Sequence, residues 1–151
     1  MPAASSWGRQ GYNDGWLNSD NEWIWPHLHR ATHEMTRIAS EYGSADGLTL
    51  RALNQLAREL VLATASDWPF MISMGTTVAY AESRLRTHMN RFNRLLAQIR
   101  EGRINEGWLA RIETLDNAFS YLNYLDFAEI HRAVKPHLKR MTARRAAPAR
   151  A

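Results

Sequence analysis

Apolar residues through the middle of the chain recur at helical spacing. Ile24, Leu28, Ala31, Met35, Ile38 and Tyr42 step by four, three, four, three and four, which keeps them on one face of a helix. Asp20 or Asn21 can cap its start, Pro26 is tolerable near the first turn, and Gly43 sits where a glycine stop belongs. A second helix is predicted over 49–65, with Leu50, Leu53, Ala57, Leu60, Val61 and Thr64 on its face. It must yield before Trp68-Pro69, because the residue preceding a proline disfavours α geometry. A break at 66–70 and a short turn over 70–74 are therefore expected. Gly75 and Thr76 or Thr77 then open a long third helix carrying Val78, Ala81, Leu85, Met89, Phe92, Leu95, Leu96 and Ile99, and Gly102 ends it. A fourth begins near Asn105 with Trp108, Ile112, Leu115 and Phe119 on its stripe, and 117–124 is less regular.

No strand-like alternation and no internal repeat interrupts this pattern, and the connections have the length usual between bundle helices. The predicted fold class is all-α, a bundle of about four main antiparallel helices over 20–127. Before it, residues 1–19 hold two tryptophans, a tyrosine and three glycines without periodicity, and read as an aromatic-rich loop. After it, residues 128–151 read as a basic, disordered tail, since the Ala/Arg/Pro-rich end offers too little apolar surface to order itself.

Charge changes the picture of that tail. From Arg132 onward there are seven basic residues and no acidic ones, which leaves twelve basic against fifteen acidic residues in the body. The overall pI of about 9.8 therefore belongs to the tail, and the body, at −3, is not composed like a nucleic-acid-binding surface. The tail also lacks aromatics to interleave with its arginines, so nucleic acid is not expected as a partner. No cysteine is present, which excludes disulfides, thiolate metal sites and cysteine nucleophiles. With no signal peptide and no run approaching a membrane span, a cytoplasmic location without membrane association is expected.

Among groups that carry chemistry, the acids select no catalytic pair. Glu34, Glu41, Glu59, Glu82 and Glu113 fall opposite the apolar stripes and read as solvated surface. Asp67 differs, because it lies at a helix break before Trp68-Pro69 and is expected in a structured corner, as a ligand contact or a local cap. His29 and His33 share a helical face, but no third ligand accompanies them, so no metal site is predicted; His88 reads as a packed, hydrogen-bonded side chain. No cofactor motif is present.

Tryptophan is the strongest signal, at 6 of 151 residues. Trp23, Trp25 and Trp108 fit core or edge packing. Trp7 and Trp16 lie on no stripe and stand among Ser, Gly, Asn and Asp. Such indoles serve as flat platforms for a sugar ring or a base, with neighbouring polar side chains taking the hydrogen bonds. The negative body favours the neutral ligand over nucleic acid, so a glycan platform and a protein-docking loop stand as alternatives.

The stretch SSWGRQGYNDGWLN, the helix entry WIWPHLHRA, then LNQLARELVLATASDWPFMI, MGTTVAYAESRLRTHMNRFNRL and DNAFSYLNY follow one another over 4–124. In that order they resemble the C-terminal helical domain of the family 57 glycoside hydrolases that act as 1,4-α-glucan branching enzymes. The resemblance implies a helical domain packed on a distorted β/α barrel that supplies a glutamate nucleophile and an aspartate acid/base. Such an enzyme cleaves an α-1,4 bond, holds a covalent glucosyl intermediate and delivers the chain to a 6-hydroxyl instead of water. It further implies that Trp7 of SSWG, Trp16 of GWLN and Asp67 of SDWP contact substrate, an α-1,4-glucan such as amylose, glycogen or a maltooligosaccharide. The barrel and both catalytic carboxylates are absent from this sequence, so the chain alone is expected to be inactive and to work beside a catalytic barrel domain or subunit. The alternative is a non-catalytic interaction module docking through its aromatic loop.

Overall fold

A computed structural model describes residues 12–128. Within them lie five helices: α1 (Ile24–Glu41), α2 (Gly47–Ala63), α3 (Asp67–Ser73), α4 (Val78–Glu101) and α5 (Glu106–Leu115). The all-α expectation holds, with four main helices and one short extra, and no strand occurs among the described residues. Trp7 and residues 129–151 lie outside the described residues, while Ala128, the first residue of the predicted tail, is buried in the core.

The core divides into two clusters along the bundle. At one end Met35, Ile38, Leu53, Leu56, Leu60, Phe92, Leu95, Ile99, Leu109 and Ile112 pack together, joining α1, α2, α4 and α5. Fully burying side chains of this size contributes about 1.5–3 kcal/mol each. At the other end Ile24, Leu28, Ala63, Ile72, Ala81 and Leu85 pack with Trp23, Trp25 and Trp68 at their edge, joining α1 and α4 to α3. Trp23 and Trp25 thus do the edge packing read from the sequence, and Arg86 lies 4.8 Å over the Trp23 ring. Trp108 packs at the edge of the first cluster, with Arg94 4.1 Å above it.

Several boundaries differ from expectation for local reasons. Neither Asp20 nor Asn21 caps α1; turns occupy 12–23, and the helix starts at Ile24 with no side-chain cap, putting Pro26 in its first turn. Helix α2 starts at Gly47 and ends at Ala63. The expected break is shorter, because α3 begins at Asp67 and Pro69 falls in its first turn, where a missing N–H costs no intrahelical bond. Gly102 ends α4 in the left-handed region as anticipated, at φ +64°. Asn105 caps α5 by accepting from the Trp108 N–H at 2.9 Å. That last helix stops at Leu115, too early for the expected stripe: Leu115 and Phe119 are exposed, while Leu109 and Ile112 are buried.

Candidate functional site

Residues 12–21 form a looped segment that docks on α3. Gly15 lets them approach: a Cβ there would sit 3.3 Å from the Phe70 ring. The Trp16 ring packs on that same Phe70, centroids 5.7 Å apart and planes inclined by 32°. Trp16 is half-buried, more enclosed than an open platform, and its carbonyl accepts from the Trp25 indole at 3.1 Å.

Two asparagines fasten the loop. Asn21 is fully buried; its amide donates to the Pro69 carbonyl at 3.0 Å and to the Gly15 carbonyl at 3.4 Å, and its oxygen accepts from the Asn18 N–H at 2.9 Å. Asn18 donates to Ser73 Oγ at 2.7 Å. A buried amide with every group satisfied specifies one geometry, because any displacement strands polar atoms away from water. Beside this clasp opens a cavity of about 280 Å³ lined by Asp14, Gly15, Asn18, Ser19, Asp20, Phe70, Ser73 and Met74.

Asp67 is the first residue of α3 and is exposed. A carboxylate there is favoured by the helix macrodipole. Trp16 and Asp67 are thus brought onto adjoining elements, the docked loop and the helix it docks on. Phe70 and Asn18 were not singled out by sequence reasoning, and Asn21 was marked only as a helix cap. Phe70 follows Pro69 in the same DWPF run and could have been marked by the glycine-tryptophan pair it faces, but that pairing spans more than fifty residues.

A second polar assembly lies inside the bundle. Glu59 is fully buried, which corrects its reading as solvated surface: α2 is enclosed almost all round from Ala52 to Leu60, so the side away from its leucines meets α4. Its carboxylate lies 2.7 Å from His88 Nδ1, accepts from Gln55 Nε2 at 2.8 Å and stands 3.8 Å from Arg91 Nη1. Arg91 also binds Asp116, to which Arg84 donates at 2.8 Å. His88 is the packed, hydrogen-bonded side chain expected.

Ligand atoms of Glu59, His88 and Asp116 lie within 4.8 Å of one another. Arg91 reaches both carboxylates, so a guanidinium already supplies the positive charge there, and the arrangement reads as an ion network joining α2, α4 and the end of α5. Burial alone would raise the Asp116 pKa, but hydrogen bonds and charge from Arg84 and Arg91 outweigh it and hold the carboxyl below its ordinary value. A depressed folded pKa stabilises the fold above the unfolded pKa and is lost as pH falls through the folded one. Stability should therefore drop as pH is lowered below about 4. Asp116→Asn should lower stability at neutral pH and flatten this acid limb, checked by urea midpoints across pH; an unchanged acid slope would exclude Asp116 as a contributor.

The family model for the C-terminal region of 1,4-alpha-glucan branching enzymes matches residues 27–127. The 1,4-alpha-glucan branching enzyme TK1436 of Thermococcus kodakarensis is 38% identical over 118 residues, covering 76% of this chain and 18% of that protein. Among solved structures, the GH57-type branching enzyme of Pyrococcus horikoshii superposes with a TM-score of 0.76 at 35% identity, over 82% of this chain and 24% of that one. TK1436 in complex with glucose gives the same TM-score at 36% identity, over 82% and 23%. The α-amylase AmyC of Thermotoga maritima gives 0.66 at 40% identity, over 74% and 22%. The chain spans less than a quarter of the length of each of these relatives.

Proposed function

Because this chain belongs to the family of C-terminal domains of 1,4-alpha-glucan branching enzymes, we propose that it is the substrate-groove domain of such an enzyme, holding α-1,4-glucan beside a catalytic β/α barrel. The observation that carries this reading is the docking of the Trp16 loop on α3, the helix that Asp67 begins, with the Trp16 indole against Phe70. Trp16 would stack on a glucose ring and Asp67 would accept from a sugar hydroxyl. Trp7, nine residues before Trp16, would add a second platform.

In a retaining transfer the covalent intermediate partitions between a sugar hydroxyl and water. A domain that covers the groove with aromatic surface shifts that partition toward transfer by excluding water and holding the glucan. No residue of this domain need touch the reacting bond. The same reading assigns the chain to glycogen-type polymer synthesis in the cytoplasm; no described helix is long and apolar enough to cross a membrane.

Titrating the purified chain with maltoheptaose while following tryptophan fluorescence tests the proposal. A saturable change is expected. Absence of any response, with the helical circular dichroism intact, would instead favour the loop as a protein-docking element.

A further inference from the structure

The aromatic surface around Asp67 does not stop at Trp16 and Phe70. Along α3, Phe70 lies about 60° to one side of Asp67 and Trp68 about 100° to the other, from the 100° step of an α-helix. Trp68 is fixed: its Nε1 donates to the Leu62 carbonyl at 2.8 Å and its ring packs at the edge of the second core cluster. Its indole meets the Tyr80 ring edge to face, with centroids 6.2 Å apart and planes at 69°.

Tyr80 is braced by this contact yet 56% exposed. The buried face of α4 runs through Ala81, Leu85, His88 and Phe92, so Tyr80 stands off it and its ring is not needed to fill the core. Its position follows from how α4 begins. Thr77 takes the left-handed conformation at φ +50°, a costly one for a β-branched residue, and its carbonyl accepts from the Tyr80 N–H at 3.0 Å. Met74, exposed at the other end of the connection, adds apolar surface.

We propose that Tyr80 is a further sugar-stacking residue, so that α3 carries a track of two aromatic pairs, Trp16 with Phe70 and Trp68 with Tyr80, flanking the Asp67 carboxylate. The ligand is a linear α-1,4-glucan long enough to reach both pairs. Apolar faces on either side of an acceptor match a polymer whose units each present a ring face and hydroxyls. This rests on the glucan reading above and deepens it: Tyr80 makes the domain favour longer chains over short ones.

The test compares maltotriose and maltoheptaose binding to the full chain by calorimetry, for the wild type, Tyr80→Phe, Tyr80→Leu and Tyr80→Ala. Tyr80→Leu and Tyr80→Ala should weaken maltoheptaose about fivefold, the scale of one aromatic contact, and leave maltotriose within about twofold. Tyr80→Phe, which keeps the ring, should bind as the wild type does. Should the alanine variant lose helicity, the leucine and phenylalanine variants decide the matter. Wild-type binding of maltoheptaose that the leucine variant matches would overturn the role of Tyr80 and leave the glucan reading standing. Failure of the wild type to bind either sugar would overturn both.

Discussion

Replacing Glu59 with alanine is expected to destabilise the fold by about 3–5 kcal/mol, the usual cost of removing one member of a buried ion-paired group. The loss comes less from the missing attraction than from what stays behind. His88 is fully buried and its Nε2 has no hydrogen-bond partner among the described residues, so Glu59→Ala also removes the bond at Nδ1. Gln55, also fully buried, loses the acceptor for its amide, and Arg91 keeps Asp116 but loses its second carboxylate. Domains of this size are stable by about 5–15 kcal/mol in total, so the change removes a large share. A less buried pair supplies the contrast. Arg51 and Glu113 meet at 2.7 Å with side chains 40% and 26% exposed, and Glu113→Ala should cost about 1 kcal/mol or less. Urea unfolding midpoints at constant slope would check both. A Glu59→Ala loss no greater than that of Glu113→Ala would mean that water reaches the network.

Glu59 also shows where the sequence stops being legible. Helical periodicity identifies the face that buries leucine, and it did so for α1, α2 and α4, whose stripes each run for four turns or more. It assumes that the opposite face meets water. That assumption fails for α2, which lies between α1, α4 and α5 and turns its polar side onto the polar residues of α4. Periodicity also misplaces ends. The Trp108, Ile112, Leu115, Phe119 series continues past the point where α5 terminates at Asp116, whose carboxylate is drawn to Arg84 and Arg91 on α4. The DWPF run misled in the other direction: proline in a first turn starts a helix as readily as proline elsewhere ends one. The individual residues Trp16 and Asp67 could be marked by their failure to fit a stripe. The docking of the Trp16 loop on the helix of Asp67 could not, because it depends on hydrogen bonds from Asn18 and Asn21 to residues 55 and 48 positions away.

That dependence makes Phe70 the sharpest lever on the proposed glucan site. Phe70→Ala should weaken maltoheptaose binding about tenfold, close to the effect of Trp16→Ala itself, although Phe70 lies beneath the indole that would take the sugar. Without the Phe70 ring, the Trp16 side chain loses a surface that helps to fix its angle, and Gly15 no longer faces a wall. An indole with a looser support must be ordered in part by the ligand when it binds, and that ordering subtracts from affinity. Phe70→Leu keeps apolar volume without the flat face and should fall between the two. If the loop is held by its asparagines alone, Phe70→Ala will bind maltoheptaose like the wild type while Trp16→Ala does not, and Phe70 is then packing without a role in orientation. If Phe70→Ala and Trp16→Ala lose binding together and the double variant loses no more, the two rings act as one unit, as residues in direct contact do when their energies fail to add.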